Sequence, residues 1–264
     1  MPTDFTTLLW LLKLGALVNL YFLAQSLALP PAIADPQIVV PAQILFAVSA
    51  YRCLFPNRYK NNVVFHATPL SSTLVTRVLA TAVEVAWIYQ FAYVIRLLNV
   101  DDVAWVNVLS WLMLAQVVIS QGFVWGAILT GRLELYFYEE LGWGLIFAAN
   151  TLASAFLYWT IDSLGEREIL LQLNLLFGLI YLPWQLIHLR WLRADARAEA
   201  DRAEAHEAAT WASVRKRLYQ SLHETNRATD AASWGGAVGL VWMTAYWASL
   251  IPLWVHQVVV VFAG

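Results

Sequence analysis

The chain has 264 residues and a formal net charge of −2; 60% of it is hydrophobic and 13% is charged, about half the usual charged share. With a mean hydropathy of +0.59, this composition excludes a disordered chain, a disulfide scaffold and a basic nucleic-acid binder. Apolar runs long enough to cross a bilayer point to an all-α polytopic membrane protein, because in lipid a spanning segment must satisfy its own backbone.

Seven spans are predicted, roughly Phe5–Leu29, Ile38–Phe55, Ser72–Leu98, Val103–Leu129, Leu133–Trp159, Ile169–Trp191 and Ala231–Phe262. Met1 to Thr7 carries no Lys or Arg, so the first run reads as a retained helix rather than a secretory signal. Pro30, Pro31 and Pro36 separate the first two spans, and Gly131-Arg132 turns the fourth into the fifth. Pro183 and Pro252 are expected to kink their helices. Gly122/Gly126 and Gly235/Gly239 each form a GxxxG pair, read first as internal helix packing and second as a self-association face.

Basic residues set the expected orientation. One side carries Arg52, Arg58, Lys60, Arg132 and eight cations between Arg190 and Arg227; the other carries Arg96 and Arg167 beside Asp35, Asp101, Asp102, Asp162, Glu166 and Glu168. Twelve cations against two put the N-terminus in the cytoplasm and the C-terminus outside, in a cytoplasmic (inner) membrane of bacterial type. Residues 190–228 form a cytoplasmic helical segment between the sixth and seventh spans, within a single domain. In it Trp211, Val214, Leu218 and Leu222 form an apolar stripe beside Arg215, Lys216 and Arg217. That suits either a helix on an anionic membrane surface or a solvated helix packed on loops.

Charged side chains inside spans need a partner or a watery cavity. The third span offers Thr73, Arg77, Thr81 and Glu84 on one face. Arg77 lies about 8 Å in and Glu84 about 18 Å in, at 1.5 Å per residue. The fifth span brings Tyr136, Glu139, Glu140 and Trp143, and the fourth brings Gln116, Ser120 and Gln121. One pocket open to the cytoplasm is expected to collect Arg77, Glu84, Gln121, Glu139 and Glu140. Arg77 would pair with Glu139 or Glu140, and the remaining acid, or Glu84, would stay protonated. Trp87, Phe123, Trp125, Tyr136 and Trp143 would wall the acids. The second loop, with Arg52, Arg58, Lys60 and His66, would hold an anionic head group, ordinary positive-inside topology being the simpler account. His188 reads as a helix-end residue beside Arg190.

The single Cys53 and five scattered histidines, His206 among them, write no metal site, and no cofactor is expected. A retinal pigment needs a Lys in the last helix, and Ala231 to Gly264 has none. Tyr138-Glu139-Glu140 lacks the proline of the Pro-x-Glu-Glu acid motif of membrane carotenoid cyclases. The reading adopted is an enzyme acting on a lipid or isoprenoid by general acid/base chemistry. Glu139, Glu140, Glu84 and Arg77 carry the chemistry; Gln121, Tyr136, Trp143, Trp125, Arg52, Arg58 and His66 bind substrate. A proton-coupled transporter or channel and a non-catalytic subunit of a membrane complex are the alternatives. Expected partners are membrane lipids, with a second copy or a complex partner beside them, and no nucleic acid.

Overall fold

The structure, a computed structural model, describes residues 4–161, 165–202 and 210–263. Asp162, His206 and residues 203–209 of the predicted cytoplasmic segment lie outside the described residues. The long helices are α1 (Thr6–Leu27), α2 (Pro36–Leu54), α3 (Thr73–Leu98), α4 (Ala104–Thr130), α5 (Glu134–Thr160) and α6 (Glu168–Arg202). A shorter α7 (Trp211–His223) follows, then a broken last span made of α8 (Gly236–Val241), a π-helical stretch Trp242–Ala248 and α9 (Leu250–Ala263). Seven helical segments are long and apolar enough to cross a membrane. Their outward faces are apolar, as at Leu14, Leu17, Leu179 and Ile180, while Asn19, Arg77, Glu139 and Gln185 are buried. This inversion of the soluble pattern identifies an integral membrane protein.

The chain forms two compact units, one of residues 1–87 with 218–264 and one of residues 88–217. In the first, α1 packs along α2 and against the last span. Asp35 caps α2, its carboxylate accepting from the Gln37 N–H at 2.8 Å, with Pro36 at the first helical position. The loop after α2 is held by short strands: β1 (Asn57–Arg58) pairs antiparallel with β2 (Val63–Val64), and β2 pairs parallel with β3 (Asn226–Arg227). This sheet ties the second loop to the approach to the last span. Gly235, at φ +85°, starts α8 with the Arg58 guanidinium over it.

The last span breaks at Ser249 (φ −143°, ψ −84°), three residues before the expected kink at Pro252. The cause is Pro252 itself. It has no N–H to offer Ala248, its ring crowds that carbonyl, and the ladder widens into π geometry just before this point. A carbonyl in the widened turn finds a partner elsewhere: Asn19 Nδ2 donates to the Trp247 carbonyl at 3.0 Å and to Gly15 O at 2.7 Å. α1 comes this close because Gly15 has no side chain; a Cβ there would lie 2.6 Å from that of Ala248. α6, by contrast, runs through Pro183 as a single helix.

In the second unit α4, α5 and α6 pack in sequence order. The expected GxxxG packing is corrected here. A Cβ on Gly122 would meet nothing within 4 Å, and Gly126 faces only Leu135. The tight approach of α4 to α5 is instead at Gly142, against Ser120 and Gln116. Gly235/Gly239 is no helix-packing face either, since Gly239 sits on the Trp234 carbonyl. In α7 Trp211 and Leu218 of the apolar stripe are exposed, while Val214 and Leu222 are partly buried.

Gly15→Ala and Gly122→Ala therefore have opposite expected outcomes in thermal unfolding of the detergent-solubilised protein. Gly15→Ala overpacks the contact with Ala248 and destabilises by about 1–3 kcal/mol. Gly122→Ala enters open space and is neutral or stabilising by up to about 1 kcal/mol through helix propensity.

Candidate functional site

Each unit holds a cluster of buried polar side chains. In the first unit, Arg77 and Glu84 lie seven residues apart on α3, nearly two turns, so their side chains share a face. Arg77 Nη2 donates to Glu84 Oε2 at 2.5 Å, and the two side chains are 2% and 8% exposed. Arg77 Nε also donates to Thr81 Oγ1 at 3.3 Å. Arg77 thus has a partner on its own helix in Glu84.

Tyr59 follows β1 and places its ring between two cations, with the Arg77 guanidinium 5.5 Å and the Arg52 guanidinium 5.4 Å from its centroid. Arg52, in the last turn of α2, is also 4.9 Å from the ring of Trp247. Its Nη1 donates to Asn57 Oδ1 at 2.6 Å and to Tyr59 OH at 3.5 Å. Asn57 is fixed in turn, its Nδ2 donating to Thr76 Oγ1 at 2.8 Å and Ser71 O at 3.0 Å. The other loop cations are spread out: Arg58 Nη1 donates to Ser233 O at 2.8 Å. Lys13 Nζ donates to the carbonyls of Cys53 and Leu54, capping the C-terminus of α2. His66 lies against the rings of Trp10 and Phe65. Partial burial, with Lys13 and Arg227 nearby, lowers its pKa from 6.5.

The second unit contains Gln121, Trp125, Tyr136, Glu139, Glu140 and Trp143. Gln121, Glu139 and Trp143 are buried, and Phe123 packs on Tyr138 at 5.5 Å. Glu139 and Glu140 are about 100° apart around α5 and take different surroundings. The Glu139 backbone faces α4, its carbonyl accepting from Ser120 Oγ at 3.5 Å. Glu140 faces α6, where Gln185 Nε2 donates to both its carboxylate (2.9 Å) and its backbone carbonyl (2.6 Å). His188 Nδ1 stands 3.7 Å from the same carboxylate oxygen. His188 is thus a buried neighbour of the acid rather than a helix-end residue reaching for the interface.

Next to this acid is a ring cluster. Trp143 stacks on Phe147 at 6.2 Å, Phe147 lies 4.5 Å from Tyr181 and 5.0 Å from Phe177, and Phe177 stacks on Tyr181 at 5.3 Å. Of the aromatics named from sequence, Trp143 belongs to it, while Trp87 lies in the first unit against Tyr246. Phe147, Phe177, Tyr181, Gln185 and His188 were missed. The signal was present in α6, where Asn174, Tyr181, Gln185 and His188 follow one another at 7, 4 and 3 residues, the spacing of one helix face. Farther along, Asn174 Nδ2 donates to Ser154 Oγ at 3.1 Å, and the rings of Phe147, Phe177 and Tyr181 separate this pair from Glu140.

Comparisons of the chain with protein-family models, with curated proteins and with solved structures return no match.

Two outcomes are expected here. Arg77→Ala or Glu84→Gln alone breaks a buried ion pair and costs about 3–5 kcal/mol, whereas the double replacement Arg77→Met with Glu84→Leu costs less than the two single changes summed. Denaturation of the three variants in detergent reads this directly. His66 has a folded-state pKa below its unfolded one, so the unfolded chain binds its proton more readily. Stability is full above about pH 6.5 and falls as the pH drops through that value. The unfolding midpoint of His66→Gln, followed from pH 8 to pH 5, declines less than that of the wild type.

Proposed function

We propose that the protein is a membrane enzyme acting on a lipid or isoprenoid, with Glu140 and His188 as its acid/base pair. The observation carrying this reading is the Glu140–His188 approach of 3.7 Å, made beside an aromatic wall. The approach is longer than a direct hydrogen bond; tightened in a substrate complex, it would let the carboxylate orient the ring and leave the other nitrogen for substrate. Gln185 clamps Glu140 at two points, which fixes the carboxylate rotamer. The faces of Trp143, Phe147 and Tyr181 supply negative π potential, which stabilises positive charge developing on an isoprenoid chain. Glu139, one residue away, is also buried.

Transport is the weaker reading, because Phe177 and Tyr181 stand along α6 between Asn174 and Gln185 and pack on Phe147. The twelve-to-two distribution of cations supports a cytoplasmic N-terminus, an outer C-terminus and a bacterial-type inner membrane. With α5 entering from the cytoplasm, Glu140 lies about 9 Å deep, six residues into the helix, within reach of substrates in the inner leaflet. The open face at Gly122 supports contact with a second copy or a complex partner.

The test is lipid analysis of material co-purifying with wild type, Glu140→Gln and His188→Asn. Both variants are expected to fold and to accumulate one lipid or isoprenoid class that the wild type converts, with turnover of that class reduced by about 10²–10⁴-fold. Folded variants with the same bound lipids as wild type and unchanged turnover would sink the reading.

A further inference from the structure

We infer that Arg52 is the anchor of an oxyanion site in the first unit, taking the phosphate of a lipid head group or free phosphate. The inference stands on the first unit alone and does not depend on the acid pair of the second.

Arg52 is 8% exposed, so its charge is held away from bulk water. Among the described residues it makes no ion pair. Its contacts are neutral: Asn57 Oδ1 and Tyr59 OH at Nη1, and the faces of Tyr59 and Trp247. Arg77, which shares the Tyr59 ring, has Glu84. The end of α2 does not require the Arg52 charge either, since Lys13 caps the Cys53 and Leu54 carbonyls.

The unused donors are in one place. Nε is buried with no hydrogen-bond partner, and Nη2 makes no hydrogen bond but keeps an opening. Nε and Nη2 form one edge of the guanidinium, the fork whose parallel N–H groups match two oxygens of a phosphate or carboxylate. The opposite edge is committed to Asn57, and the rings of Tyr59 and Trp247 lie against the guanidinium. The side chain is thus fixed in orientation, with Nη2 at the opening and Nε buried behind it. Arg77, 5.5 Å from the shared Tyr59 ring, is matched by Glu84, whereas among the described residues no acid is paired with Arg52. Phosphate is favoured over carboxylate because this Arg ends a membrane-spanning helix, at the depth where phospholipid head groups lie.

The experiment uses the purified full-length chain in mild detergent. Phosphatidylglycerol, diacylglycerol and inorganic phosphate are the probes; thermal unfolding and native mass spectrometry are the readouts. Wild type is expected to retain one phosphatidylglycerol per chain and to unfold several degrees higher with it, while diacylglycerol has no effect. Arg52→Gln loses at least ten-fold in retention and loses the shift, and Arg52→Lys, which keeps the charge but not the fork, falls between. Arg215→Gln, an exposed cation on α7, behaves as wild type. A shift with phosphatidylglycerol alone assigns the site to a lipid, and a shift with inorganic phosphate as well assigns it to the phosphate group itself. Equal responses in wild type and Arg52→Gln, equal losses in Arg215→Gln and Arg52→Gln, or no wild-type response to either phosphate probe overturns the inference. Should Arg52→Gln fail to fold, the wild type decides: equal retention of diacylglycerol and phosphatidylglycerol overturns it.

Discussion

Within hydrocarbon no water is at hand to complete a hydrogen bond, so each polar group placed there must be answered by another part of the chain. The internal order of both units follows from this constraint. In the first, Arg77 is answered by Glu84 at 2.5 Å and the Trp247 carbonyl by Asn19 at 3.0 Å. In the second, Glu140 is answered by Gln185 and approached by His188, and Asn174 by Ser154. Apolar packing alone gives helices in lipid little reason to choose one rotation over another, because lipid tails are as apolar as leucine. The polar pairs supply that choice.

The broken last span shows how one residue spreads its effect. Pro252 cannot donate to Ala248, the ladder opens, and the π-helical stretch presents the Trp247 carbonyl to α1 and its indole to Arg52. Gly15 permits the approach and Asn19 completes it. A helix break in a membrane persists only where protein re-satisfies the freed backbone, so α1 and the break are mutually dependent. The three short strands act at the loop end of the same unit, holding Asn57 where it can orient Arg52.

The two polar clusters differ in chemical character. The first has cations in excess, and Arg52 leaves an unused donor edge. The second is acidic, with two neighbouring carboxylates, one imidazole and a wall of rings. A cationic edge suits holding an anionic group, and an acid beside π faces suits proton transfer to an apolar chain.

The sequence by itself determined the class and the number of spans. Runs of apolar residues long enough to cross a bilayer are a property of the chain alone, as is the lopsided distribution of cations. It also singled out Arg77, Glu84, Glu139 and Glu140 as ionisable residues inside apolar runs, and Arg52 as one of the cations of the second loop. It did not determine their partners. Arg77 has Glu84 of its own helix as a partner, Glu140 has Gln185 of α6, and His188, beside Arg190 in sequence, is buried next to Glu140. Which of two adjacent glutamates faces which helix depends on the rotation of α5, and that is fixed by close packing at Gly142 and by Gln185, more than forty residues away in the chain. The break at Ser249 and its repair by Asn19 were likewise decided by tertiary structure. Proline marks where a helix is weakened, but only a neighbouring helix can supply the donor that lets it open.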